Sequence, residues 1–168
     1  MFKKMPPQEN SDRSSKIIIR SATDDDIHSI VNAFSDYLEE LEDIEEQDLT
    51  FTNNNVKLFR LMLMESIRSY NICPAIAEIE GKKVGFNFWI KMPAFDTKHE
   101  IAHALGTFVR KEYRGLGICR KLCEFSFVYL KASGIDKIYG KVFKERESSS
   151  KFISDLGFDK LEMLCKTL

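Results

Sequence analysis

Tyr113-Arg114-Gly115-Leu116-Gly117-Ile118-Cys119-Arg120 is the stretch on which the fold reading turns. The apolar run from Ile101 to Val109 ahead of it reads as a strand. Behind it Ile118, Leu122, Phe125 and Tyr129 recur at helical spacing. A glycine-bearing turn between strand and helix aims free backbone N–H groups and the positive helix end at one spot. That arrangement suits a phosphate or pyrophosphate. The turn is not a Walker loop, since GxxxxGK followed by Ser or Thr is absent from the chain. Nor is it a dinucleotide fingerprint, because Arg120 stands where GxGxxG needs its third glycine. Taken alone, two glycines are also what any tight turn uses.

The order of elements extends the reading in both directions. Lys16-Ile17-Ile18-Ile19-Arg20 is a β-branched run and predicts the first strand. Thr23 is placed to cap a helix, with Asp26 three residues later, and Ile27, Ile30, Val31, Phe34, Leu38 and Leu41 continue at helical spacing. After an acidic, Asn-rich link ending in Thr52-Asn53-Asn54-Asn55, a second helix is marked by Val56, Phe59, Met62, Leu63 and Ile67. Two strands, 74–79 and 83–91, flank the turn Glu80-Gly81-Lys82, and Pro93 to His99 is a loop. Beyond the glycine turn come Gly134 as a helix stop, a strand over 135–143, a short helix over 147–156 and a closing strand over 158–167. The order is βααβββαβαβ.

Composition sets the frame. The chain has 168 residues, 43% hydrophobic and 30% charged, with 25 Lys and Arg against 26 Asp and Glu. A chain of this size buries roughly 70% of its unfolded surface, enough for one domain. Residues 1–15, polar and bearing Pro6-Pro7, read as a flexible tail ahead of a domain over 16–168. The start has no apolar core of a secretory signal, and no stretch approaches the length of a membrane span. A net charge of −1 gives no general reason to expect nucleic acid as partner. Cys73, Cys119, Cys123 and Cys165 form no CxxC pair, so zinc-ligand spacing is absent and the thiols fit a reducing cytoplasm.

With its neighbours the turn becomes specific. Thr107-Phe108-Val109, then Glu112 through Gly117, then Leu156-Gly157-Phe158 resemble the GNAT N-acetyltransferase superfamily. Arg114, Gly117 and Cys119 fall on the three defined positions of its R/Q-x-x-G-x-G/A pattern. Ile19-Arg20-x-Ala22-Thr23-x-x-Asp26 and the hairpin from Ala77 to Gly85 are similar to this family as well. The resemblance covers residues 16–168. It implies an α+β, three-layer fold: a central mixed sheet of six or seven strands, with the fourth and fifth splayed apart, flanked by about four helices. It also implies acetyl-CoA, or another acyl-CoA, as co-substrate. Pantetheine would bond the backbone at Phe108 and Val109, and the pyrophosphate would rest on Arg114, Gly115, Leu116, Gly117, Ile118, Cys119 and Arg120. No metal is implied. Arg110, Lys111 and Lys121 add positive charge nearby, which also serves plain surface solubility.

The chain departs from the family at three points. Cys119 replaces the usual Gly or Ala and reads as a small packing residue, with a mixed disulfide to CoA as the sharper alternative. Ile153 fills the slot of the tyrosine that protonates the departing thiolate, and Arg146 that of the usual Asn. A thiol of pKa about 8.5 leaves with little help near neutral pH, so this predicts a slower enzyme rather than a dead one. Leu105 and Gly106 hold strand positions where relatives carry a carboxylate. His103 is then the candidate general base, because imidazole accepts protons near neutral pH. A hydrogen-bonded structural histidine is the alternative, and His99 and Glu100 are placed less well.

The near-neutral total conceals a division. Residues 24–48 hold 11 acids and no base, and the rest of the chain carries 25 bases against 15 acids. The resemblance sets the run from Glu39 to Asp48 at the acceptor end of the cleft, opposite the basic turn. The reading that follows is an N-acetyltransferase acting by direct attack of a cationic amine: a polyamine, another small amine or a peptide amine. A merely solvated face is the alternative for the acids. The runner-up functions are a CoA-binding regulatory module without turnover and an interaction domain that binds no CoA. Relatives that pair suggest a homodimer by analogy only.

Overall fold

The computed structural model describes residues 17–42, 53–69, 74–92, 100–140 and 147–159. Its elements are β1 (Ile17–Ser21), α1 (Ile27–Glu42), α2 (Asn53–Ser69), β2 (Ala75–Ile79), β3 (Lys82–Met92), β4 (Ile101–Val109), α3 (Ile118–Ala132), β5 (Lys137–Tyr139) and α4 (Glu147–Asp155). The three asparagines expected in the link form the first turn of α2. The sheet runs β1-β2-β3-β4-β5, antiparallel except for the last, parallel pair, which α3 connects. Among the described residues the sheet thus has five strands, against the six or seven expected. Most of the anticipated closing strand, the tail 1–15, the acids of 43–48, Cys73, Cys165 and Arg146 lie outside the described residues.

Both faces of the sheet are covered because its strands alternate two apolar sets. On one face Phe86, Phe88 and Phe108 meet Ile30 and Ala33 of α1 and Phe59, Leu63 and Ile67 of α2. Phe34 and Phe59 stack across the two helices at 3.7 Å between ring centroids. On the other face Ala75, Ala77, Val84 and Val109 receive Ile118 and Leu122 of α3. The result is three layers.

A single buried carboxylate ties the start of the fold together. Asp26 is fully buried at the entry to α1 and accepts the Thr23 N–H at 2.8 Å, closing the capping box read from the sequence. It also takes Arg20 of β1 at 2.6 and 3.0 Å and Lys83 of β3 at 2.6 Å. Arg20 extends the network to Glu78 of β2. Three strands and a helix thus share one set of charges.

Candidate functional site

β4 is irregular where the site begins. Phe88 pairs with Gly106 but Trp89 with Ala104, which leaves Leu105 as an extra residue in β4. Such a bulge bends a strand and increases its twist. On its other edge β4 pairs with β5 over three positions, Ile101 with Lys137, Ala102 with Ile138 and His103 with Tyr139. From Ala104 onward that edge has no strand partner among the described residues; the resemblance sets the gap there.

Alternation fixes which backbone groups face the gap. The Arg110 N–H donates to the Val84 carbonyl at 2.9 Å, so Arg110 and Phe108 point their backbone groups at β3. Val109 and Thr107 point theirs at the gap. Of the two strand residues expected to bond pantetheine, Val109 is thus available and the Phe108 backbone is not. The Phe108 ring is 5% exposed and belongs to the core under α1 and α2.

The turn follows directly. Lys111–Tyr113 makes a short 3₁₀ turn, and Gly115 and Gly117 then adopt φ of +81° and +74°, a region that disfavours any Cβ. Gly117 is the N-cap of α3, and the first helical bond runs from the Lys121 N–H to its carbonyl at 3.2 Å. The N–H groups of Ile118, Cys119 and Arg120 lie in the first helical turn, where no carbonyl precedes them. Ile118 is buried and Leu116 packs beside it, which holds the turn against α3's core face. Arg120 is exposed, its guanidinium 5.8 Å from the Phe152 ring of α4. Ile153 is the next residue of α4, so no phenol stands at that slot.

Arg114 is engaged by protein. Its Nε donates to the Val109 carbonyl at 2.8 Å, and its terminal nitrogen reaches both carboxylate oxygens of Glu40 at 2.8 and 2.9 Å. The guanidinium also lies 5.9 Å over the Phe108 ring. This contact departs from the charge layout expected from sequence at one residue: Glu40 adjoins the basic turn, while the acids of 43–48 lie outside the described residues. Asp36, Glu39, Glu40, Phe108, Arg110, Lys111 and Glu112 line a cavity of about 290 Å³ between them. Glu40 sat unmarked in an acidic run, and nothing local in the sequence distinguishes it.

Cys119 is half-buried against Cys123, one helical turn on, which is itself buried. Hydrogen bonding to Cys123, together with burial, pushes the Cys119 thiol up, away from the reactive thiolate. Both the half-buried position and the raised thiol accord with the packing role expected of Cys119. Cys123 joins a polar group under β4: buried Asn87 donates to Thr107 Oγ1 at 2.7 Å and to Cys123 Sγ at 3.6 Å, while Ser126 donates to Asn87 Oδ1 at 3.3 Å. Sequence gave no hint of this network, which anchors the gap segment of β4 to α3.

His103 occupies the last β4–β5 pair among the described residues. Its ring stacks on Tyr139 at 5.2 Å and 23°. Ala102 and Ala104 pack on the α3 side, so His103 between them faces the α1 and α2 side, next to its partner Ile90.

Among the described residues no group of three or more His, Cys, Asp or Glu is placed to hold a metal ion, and no helix is long and apolar enough to cross a membrane. The acetyltransferase (GNAT) family model matches residues 27–158. No curated protein matches the chain in sequence. A GCN5-related N-acetyltransferase from Ralstonia eutropha JMP134 superposes with a TM-score of 0.75 at 13% identity, over 90% of this chain and 98% of that one. A transcriptional regulator from Bacillus halodurans C-125 gives 0.70 at 21% identity, over 90% and 99%. The aminoglycoside N-acetyltransferase AAC(6')-Iy, solved in complex with CoA, gives 0.66 at 14% identity, over 90% and 93%. A glycine turn opening α3 and a family match over most of the sequence agree: the chain belongs to the acetyltransferase (GNAT) family and is an acetyl-CoA-dependent acyltransferase.

Proposed function

We propose that this protein acetylates a cationic primary amine. The observation that carries the reading is the cavity beside the end of β4, where Asp36, Glu39, Glu40 and Glu112 exceed Arg110, Lys111 and the Arg114 that pairs with Glu40 by one charge. Carboxylates around a mouth raise the local concentration of cations and disfavour anionic acceptors. The aminoglycoside N-acetyltransferase of the same fold is a relative with polycationic acceptors in its name. In a panel of spermidine, an aminoglycoside, a lysine peptide and neutral and acidic amines, the cationic acceptors should show the highest kcat/KM. A neutral or acidic amine at the top would refute electrostatic selection.

Acetyl-CoA supplies an acyl group on a thioester, activated for attack by an amine. The residues that would hold it are the Val109 backbone and the amides from Gly115 to Arg120. The gap-facing N–H groups of β4 are placed to polarise an acyl carbonyl in the gap. An acceptor ammonium, with pKa about 10, must first lose a proton. His103 faces the helices that border the acceptor side and takes that proton at an imidazole nitrogen. His103→Ala should lower kcat/KM roughly 10- to 100-fold at pH 7, with the deficit shrinking as pH rises and free amine accumulates. Full turnover from pH 6 to 9 would remove His103 from the mechanism.

Gly117→Val tests the turn. Nothing lies within 4 Å of a Cβ built there, so the cost comes from the backbone at φ +74°. A β-branched residue resists that region by about 1–2 kcal/mol or more, so the variant either strains or re-aims the amides. Acetyl-CoA affinity, read as the shift in melting temperature on adding ligand, should fall about tenfold. Affinity equal to wild type would show that the amides of this turn do not hold the phosphates. Binding of acetyl-CoA without thiol release across the whole amine panel would favour the regulatory module.

A further inference from the structure

From the contacts of Arg114 we infer that its side chain is a positioning clamp that joins α1 to the gap edge of β4, and that Glu40 is its obligatory partner. The inference rests on the acetyl-CoA reading above but departs from it on one residue. A cation at the first position of the glycine turn would ordinarily be assigned to the phosphates. Here two of the three guanidinium nitrogens are already engaged by protein. Nε is spent on the Val109 carbonyl at 2.8 Å, the same residue whose N–H faces the gap. One terminal nitrogen bridges both oxygens of Glu40. The Phe108 ring lies beneath the guanidinium, and Glu40 is only 15% exposed, its side chain also 3.9 Å from Lys111.

The arrangement has a geometric consequence. Beyond His103 no strand among the described residues neighbours β4 on its gap side, where side-chain contacts add to the hold that β3 has on Val109. Arg114 supplies one such hold, and through Glu40 it fastens to α1 the element that carries Asp36, Glu39 and Tyr37 over Gly106. The acceptor-side helix and the thioester-side strand are set by one fork. A planar, five-donor guanidinium can do this and an ammonium cannot.

The test compares two ligands that differ in phosphate. Kd is measured by calorimetry for acetyl-CoA and for S-acetylpantetheine, which carries no phosphate, on the full chain and its variants. A clamp predicts that Arg114→Gln and Glu40→Gln each weaken both ligands by the same factor, about fivefold, and that the double variant is no worse than either single one. Arg114→Lys keeps the charge but should fail to restore affinity, whereas the exchange Glu40→Arg with Arg114→Glu should recover part of it. The clamp is overturned if Arg114→Gln weakens acetyl-CoA alone, if Arg114→Lys binds like wild type, or if Glu40→Gln tightens acetyl-CoA by freeing the guanidinium for phosphate. Wild-type protein that binds neither ligand would overturn the acetyl-CoA reading together with this one. Melting temperatures of the variants without ligand separate a lost clamp from a lost fold.

Discussion

Asp26→Ala is expected to destabilise the fold by about 3 kcal/mol, the scale of breaking a buried ion pair by removing one partner. For a domain of this size that lowers the melting temperature by roughly 6–12 °C. Asp26 has no exposed surface, and its removal leaves Arg20 and Lys83 facing each other without their shared anion. The Thr23 amide loses its acceptor at the same moment, so the entry to α1 is uncapped as well. Arg20 keeps Glu78 and is partly exposed, which holds the cost near the lower end for buried pairs.

The same residue gives the fold a pH signature. Burial works to raise the Asp26 pKa, but the hydrogen bonds from Arg20, Lys83 and Thr23 outweigh it and hold the carboxyl well below the usual carboxylate range. A group depressed on folding contributes stability that is complete above its unfolded pKa, about 4, and is lost as pH falls from there toward the folded value. Urea denaturation between pH 3 and 7 should therefore show the gap between wild type and Asp26→Asn at full size near neutrality and narrowing below about pH 4. A gap independent of pH over that range would mean that Asp26 acts by shape and not by charge.

What the sequence disclosed and what it withheld divide along one physical line. The glycine turn was legible because its requirements are local: a strand, two residues at positive φ and a helix start lie within twenty consecutive positions. The capping role of Asp26 was legible for the same reason, since Thr23 and Asp26 are three apart. Its burial under Lys83 was not, because that contact closes over 57 residues and depends on how β1, β2 and β3 register. Glu40 is the sharper case. Eleven acids in a run are energetically alike until the fold chooses one of them for Arg114, 74 residues away. Counting charges could find the imbalance but not its location, so the expectation of separated poles missed Glu40, which meets the basic turn. The stacking of His103 on Tyr139 likewise follows from the β4–β5 register, which no pattern in either strand reveals.

Gly85→Ala should lower stability and cofactor affinity together. A Cβ at this position would lie 2.8 Å from the Phe108 carbonyl oxygen, 3.3 Å from Val109 Cγ2 and 3.4 Å from Leu122 Cδ1. The first contact is with backbone, so no side-chain rotation relieves it, and β3 and β4 must move apart where Gly85 pairs with Val109. Forcing an extra methyl into such a site costs about 2 kcal/mol, which is roughly 4–8 °C in melting temperature. The residue displaced is Val109, whose N–H faces the gap and whose carbonyl Arg114 holds. The substitution therefore reaches the cofactor cleft without touching it, and Kd for acetyl-CoA should rise about fivefold under conditions where the variant is fully folded. Gly81→Ala is the control. It sits in the hairpin turn at φ +77°, outside the β3–β4 pairing and with nothing within 4 Å of a new Cβ, so it carries backbone strain of about 1 kcal/mol without pushing on β4 and should leave Kd unchanged. A Gly85→Ala protein that melts early yet binds acetyl-CoA like wild type would show that the gap edge of β4 is set independently of its pairing with β3.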